Sequence, residues 1–117
     1  MIFDKLKEEL LQSLRRYFPA AKVDIKERRS VILELRAYID KATFIEVYAN
    51  SITGKKGFAL ISEDKRITGY DNYRFWHHHP PDKPNDHIPC EEPTVDLVLS
   101  FFKEILIKRS LSPEGLG

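Results

Sequence analysis

At 117 residues, 42% apolar and 32% charged, the chain has the size and composition of one globular domain and falls outside the disordered and fibrous classes. Nineteen Lys and Arg against eighteen Asp and Glu leave a formal net charge of +1, which argues against nucleic-acid binding by bulk charge and leaves room for a local basic patch. The lone Cys90 cannot pair within the chain and points to a reducing compartment.

Phe3, Leu6, Leu10, Leu14, Tyr17 and Phe18 recur at helical spacing, which predicts a first helix over 3–18, closed by Pro19. Its acids lie early and Arg15 and Arg16 late, as the helix dipole favours. The start Met1-Ile2-Phe3-Asp4-Lys5 is unlike a signal or transit peptide, and no segment reaches the ~20 apolar residues of a membrane span. The expectation is a soluble, cytoplasmic protein.

Five strands follow. Val23 and Ile25 alternate with Asp24 and Lys26 before the turn Arg28-Arg29-Ser30; Val31, Leu33, Leu35 and Ala37 alternate with Glu34 and Arg36; Ile45, Val47 and Ala49 alternate with Glu46 and Tyr48. Phe58 to Ile61 makes a fourth strand and Arg66 to about Arg74 a fifth. The connections are too short for crossover helices, so neighbours pair antiparallel as a meander. The segment from Asn50 to Gly57 lacks the order and the strand-to-helix context of a phosphate loop and reads as a hairpin loop.

Five of the seven prolines, at 80, 81, 84, 89 and 93, fall between Trp76 and Pro93, and the expectation there is a long irregular loop. A second helix runs from Thr94 to about Lys108 or Arg109, with Thr94 as its cap. Apolar residues cover most of its circumference, from Val95 to Ile107, more than one sheet face covers. The fold class is therefore α+β: N-terminal helix, five-stranded antiparallel meander, proline/histidine loop, C-terminal helix, as a single domain over 1–110 with a frayed tail over 111–117. Glu34, Arg36, Tyr38, Phe44, Glu46 and Tyr48 share one parity of the strands and face water or a partner.

His77, His78, His79 and His87 are all the histidines of the chain and fall within eleven residues, near Asp71. In extended backbone His77 and His79 project to one side and His78 to the other. Imidazoles so placed could ligate a divalent metal such as zinc, move protons near neutral pH, or bind phosphate when protonated. The stacked-loop alternative sets these rings against Trp76 and Tyr73 as a polar surface. The basic turns Arg28-Arg29, Lys55-Lys56 and Lys65-Arg66 could rim an RNA site. Cys90, beside Glu91 and Glu92, is a poor nucleophile because neighbouring acids raise a thiol's pKa.

The series Tyr70-Asp71-Asn72, His77-His78-His79, a proline-containing spacer, His87-Ile88-Pro89 and Glu91-Glu92-Pro93 before an apolar helix resembles the C-terminal half of the TumE family of toxin-antitoxin toxins, over about residues 66–108. The resemblance implies a small toxin held by an antitoxin protein. Beside the residues themselves it suggests a nuclease or other hydrolase in which His77, His79 and His87 are acid-base groups or metal ligands and Asp71 orients an imidazole. The rival reading is a non-enzymatic interaction module that binds a partner or a second copy, as a homodimer, through the helix over 94–108.

Overall fold

A computed structural model describes residues 2–111. Helix α1 spans Asp4–Tyr17, and the strands are β1 Lys22–Arg28, β2 Ile32–Tyr38, β3 Thr43–Asn50, β4 Lys56–Ser62, β5 Lys65–Asp71, β6 His77–His79 and β7 Ile88–Pro89, followed by α2, Val95–Leu111. The seven strands form one sheet in sequence order, and every neighbouring pair is antiparallel. The tail expected to fray lies, from residue 112 on, outside the described residues.

The α+β meander between two helices is as the alternation predicts; the strand count and the irregular loop are not. Seven strands replace five, because β6 and β7 form inside the segment whose prolines argued against regular structure. The prolines do not obstruct them. Pro80 and Pro81 follow β6, Pro84 lies in the connection, and Pro89 sits opposite His77 on the edge strand β7, where a missing N–H costs no ladder bond on the open side. The fifth strand also ends at Asp71 rather than near Arg74, whose φ of 70° turns the chain out of the ladder.

The alternation divides the sheet into two faces. On one, Leu33, Leu35, Ile45, Val47 and Leu60 are fully buried with Leu10 and Leu14 of α1 and Val98, Leu99 and Phe102 of α2 in a single core. Each such side chain contributes about 1.5–3 kcal/mol of burial. The helices are tied by Asp96, whose carboxylate accepts hydrogen bonds from Arg16 Nη1 (2.8 Å), Ser13 Oγ (3.3 Å) and Tyr17 Oη (2.8 Å). Thr94 caps α2 as expected, its Oγ1 accepting from the Leu97 N–H at 3.1 Å. Among the described residues no helix is long and apolar enough to cross a membrane.

The second face carries no helix. Cross-strand register lays it out in three rows: Lys22, Tyr38, Phe44, Ile61, Arg66; Asp24, Arg36, Glu46, Ala59, Gly69, His79; and Lys26, Glu34, Tyr48, Gly57, Asp71, His77. The polar parity read from the sequence is thus the helix-free side, and the histidines lie at its far end. Gly69 is there for space, since a Cβ at this position would stand 2.6 Å from the Phe58 carbonyl oxygen. Gly69→Ala is expected to destabilise the fold by about 1–3 kcal/mol, read as a lower urea midpoint; Gly54→Ser meets no neighbouring atom but puts a side chain at φ 76° and should lose about 1–2 kcal/mol through the left-handed backbone alone.

Candidate functional site

The site grows from the pairing of β5 with β6, in which Gly69, Tyr70 and Asp71 oppose His79, His78 and His77. The pleat sends Asp71, His77 and His79 to the helix-free face and Tyr70 and His78 to the helix side. There the His78 ring stacks on Tyr70 at 4.8 Å and meets the edge of Phe101 at 5.5 Å. Burial, and then the neighbouring His79, lower the His78 pKa, so this imidazole stays neutral and serves packing. Asn72 closes the strand end: its Oδ1 accepts from the Lys56 N–H at 2.8 Å and its Nδ2 donates to the Gly54 carbonyl at 2.8 Å.

On the opposite face Asp71 lies between two rings. His77 Nε2 is 3.0 Å from Oδ1 and His79 Nε2 is 2.9 Å from Oδ2. The far nitrogens meet backbone carbonyls, with His77 Nδ1 2.9 Å from Phe75 O and His79 Nδ1 3.0 Å from Pro84 O. Residues 80–87 fold back through successive turns, Lys83 N–H to Pro80 O and Asp86 N–H to Lys83 O, and bring His87 onto the pair. Its ring stacks on His77 and meets His79 edge-on, with both centroids 4.7 Å away. One nitrogen from each of His77, His79 and His87 lies within 4.8 Å of the others. The four residues singled out from the sequence therefore converge.

The histidines are not the exposed loop residues that the proline-rich sequence suggests. His77 is 1% exposed and His79 2%, because β6 lies inside the sheet and the proline segment covers it; His87 alone is exposed. The rings contact one another and Phe75, which meets His77 at 5.2 Å, rather than Trp76 and Tyr73. Sequence reasoning misses the carbonyls of Phe75 and Pro84, since any residue type supplies a carbonyl and only the fold aims it.

The protonation arithmetic is restrictive. A carbonyl only accepts, so a neutral ring whose Nδ1 carries the hydrogen is left with a bare lone pair at Nε2, and the other tautomer reverses this. A lone pair at Nε2 faces a carboxylate oxygen, which is also an acceptor. A neutral ring therefore meets an acceptor at one end or the other, and both ends are satisfied together only when the ring carries both hydrogens beside the Asp71 carboxylate or when its Nε2 turns to an ion. The backbone-held Nδ1–H with Nε2 turned inward is the orientation found at metal-binding histidines. Ligand atoms on one tetrahedral ion stand roughly 3.4 Å apart for bonds of ~2.1 Å, so the 4.8 Å spread must close by roughly 1.4 Å for all three rings to share an ion.

Asp71 suits the orienting role beside these rings. Burial opposes its ionisation, but the Tyr73 N–H at 3.1 Å on Oδ1, the His79 contact and the charges of both rings outweigh that and hold the carboxyl below its ordinary value. Gly57, directly opposite, leaves room for it: a Cβ there would press the Asp71 Cβ at 3.2 Å. Cys90 is exposed and its thiol pKa is raised by burial, in keeping with a poor nucleophile.

Two outcomes follow from this geometry. His79→Ala removes one of the two imidazoles on Asp71 and empties a buried ring site, and should cost about 2–3 kcal/mol in a thermal melt, while His87→Ala should remain within about 0.5 kcal/mol. A carboxyl with a depressed folded pKa contributes stability that is complete above its unfolded value and lost as pH falls through the folded one. Wild-type stability should therefore drop below about pH 4 more steeply than that of Asp71→Asn, as read by urea titrations across acid pH.

No protein-family model, no curated protein and no solved structure matches this chain.

Proposed function

We propose that this protein is a TumE-like toxin acting as a hydrolase, with a divalent metal held by His77, His79 and His87 and with Asp71 orienting the two inner rings. The observation that carries the metal is the facing of two buried Nε2 atoms, their rings anchored through Nδ1, onto the two oxygens of one carboxylate, with a third imidazole alongside. Three imidazole nitrogens suit zinc and neighbouring transition ions better than magnesium or calcium, which prefer all-oxygen sites. When bound, such an ion supplies Lewis acidity and a water activated near neutral pH. The chain's own part is to fix the two inner rings, to hold negative charge at Asp71 and to present the exposed His87 to an incoming substrate.

Toxin work implies an antitoxin partner, and a second reading gives that contact, or a homodimer, to α2. Its support is that Leu97 and Ile107 are 49% and 47% exposed while the other apolar residues of the helix with described burial are at least partly covered by the chain's own core. The deciding measurement is metal content of tag-free protein by mass spectrometry, with zinc titration calorimetry. About one ion per chain is expected, with affinity lowered about tenfold or more in His87→Ala while its melting temperature holds. RNA hydrolysis that stops with chelator and returns with zinc completes the reading; metal-free protein with chelator-resistant activity overturns it.

A further inference from the structure

The helix-free face does not end at the histidines. Moving across the sheet from Asp71 and His79, the next strands present Gly57, Ala59 and Gly69, so the two rows that lead to the site carry no side chain larger than a methyl, and the Arg66 stem lies beside Gly69, 3.6 Å from where a Cβ would stand. Two of these are constrained: a Cβ at Gly69 would strike the Phe58 carbonyl and one at Gly57 would press Asp71. Beyond this bare floor stand Tyr48, Glu46 and Arg36, about three to four strand spacings, or roughly 14–19 Å, from His79. A cavity of about 550 Å³ lies over the near end, lined by Glu46, Ala59, Ile61, Arg66 and Pro84 among others. Another, of about 440 Å³, lies over the far end against Arg36, Tyr38 and Tyr48.

The walls carry two kinds of group. Tyr38, Phe44 and Tyr48 belong to this face, with Tyr38 against Phe44 at 5.8 Å and the Arg36 guanidinium 4.8 Å above the Phe44 ring. Arg66 is tied to the histidine site: its Nη2 donates at 3.2 Å to the Pro84 carbonyl that also holds His79 Nδ1. Among the described residues it has no carboxylate partner within salt-bridge distance, unlike Arg28 and Arg36, which are paired with Glu34 and Glu46.

We infer that the helix-free sheet face is a track for single-stranded RNA, with Arg66 gripping the phosphate beside the histidine cluster and Tyr38, Phe44 and Tyr48 stacking bases farther along. Aromatic faces on an open sheet stack only on unpaired bases, interleaved with cations for the backbone. Of the acids on the same face, Glu34 and Glu46 are neutralised by Arg28 and Arg36, which leaves Asp24 to accept from a 2′-hydroxyl, a donor that RNA has and DNA lacks. The bare floor lets a backbone lie close to the sheet and delivers a phosphodiester to the cluster. The inference rests on the hydrolase reading for its chemistry but not for its binding.

The test therefore separates the two. Fluorescence polarisation of a labelled 12-nucleotide RNA is measured in chelator, where metal-dependent cleavage is off, against the same sequence as DNA and as an RNA duplex. Wild type should bind the single-stranded RNA most tightly. Arg66→Ala and Tyr38→Ala should each weaken it by about fivefold or more, with Arg15→Ala on α1 as an unchanged control. Tyr38 is 39% exposed, so its removal leaves folding intact even if loss of Arg66 disturbs the proline segment. Equal binding of DNA or duplex, no binding, or indifference to Tyr38→Ala would each overturn the track. Zinc stoichiometry on the same samples reports on the hydrolase separately, so a metal-loaded protein that ignores RNA fails only the present inference.

Discussion

Three residues of β6 pair with three of β5, and the register of that pairing decides which chemistry the molecule has. Side-chain direction alternates along a strand, so a slip of one residue would turn His77 and His79 into the helix-covered core and bring His78 out beside Asp71. Tyr70 resists the slip from the core side by stacking on His78, and Asp71 from the other by engaging both rings. Thr68 adds a third restraint, its hydroxyl donating to the His79 carbonyl at 2.6 Å. The site is thus held from strand backbones rather than from a loose loop, which is how short-range order among four polar side chains is sustained.

The two faces of the sheet divide the labour. The helix side supplies the apolar burial that holds the fold, and its residues are the fully enclosed leucines, isoleucines and valines. The other side gives up that stabilisation: it carries ion pairs of long exposed side chains, Arg28 with Glu34 and Arg36 with Glu46, each worth little in water. A sheet covered on one side only is a standard arrangement for antiparallel strands. Here the uncovered side becomes dry only at the histidines, where the proline segment lies over it.

Much of this is written in the order of residue types. Strict alternation in β2 and β3 fixes both their existence and their faces, and the spacing of His77 and His79 with His78 between them already separates the pair from the odd ring. What the residue order conceals is burial and short pairing. Prolines at 80, 81, 84 and 89 suggest irregular chain, yet β6 occupies only the three residues before the first of them. The enclosure of His77 and His79 depends on carbonyls at Phe75 and Pro84, which have no signature in residue type. Asp96 likewise reads as a helix-start acid, whereas its weightier task is to gather Ser13, Arg16 and Tyr17 from the other end of the chain.

That last contact bears on how the chain comes together in time. Every strand pairs with its neighbour in sequence, so the meander can zip through short loops with little closure entropy. The two helices are the exception, meeting each other across roughly 80 residues of intervening chain. During synthesis the greasy side of the meander and the inner side of α1 therefore stand without α2 until the ribosome has passed Ile105. Tyr70 and His78 wait for Phe101 over the same interval, so the histidine register gains its last lateral support only then. A chain interrupted before α2 would carry Asp71 and all four histidines and still lack the packing that sets their register.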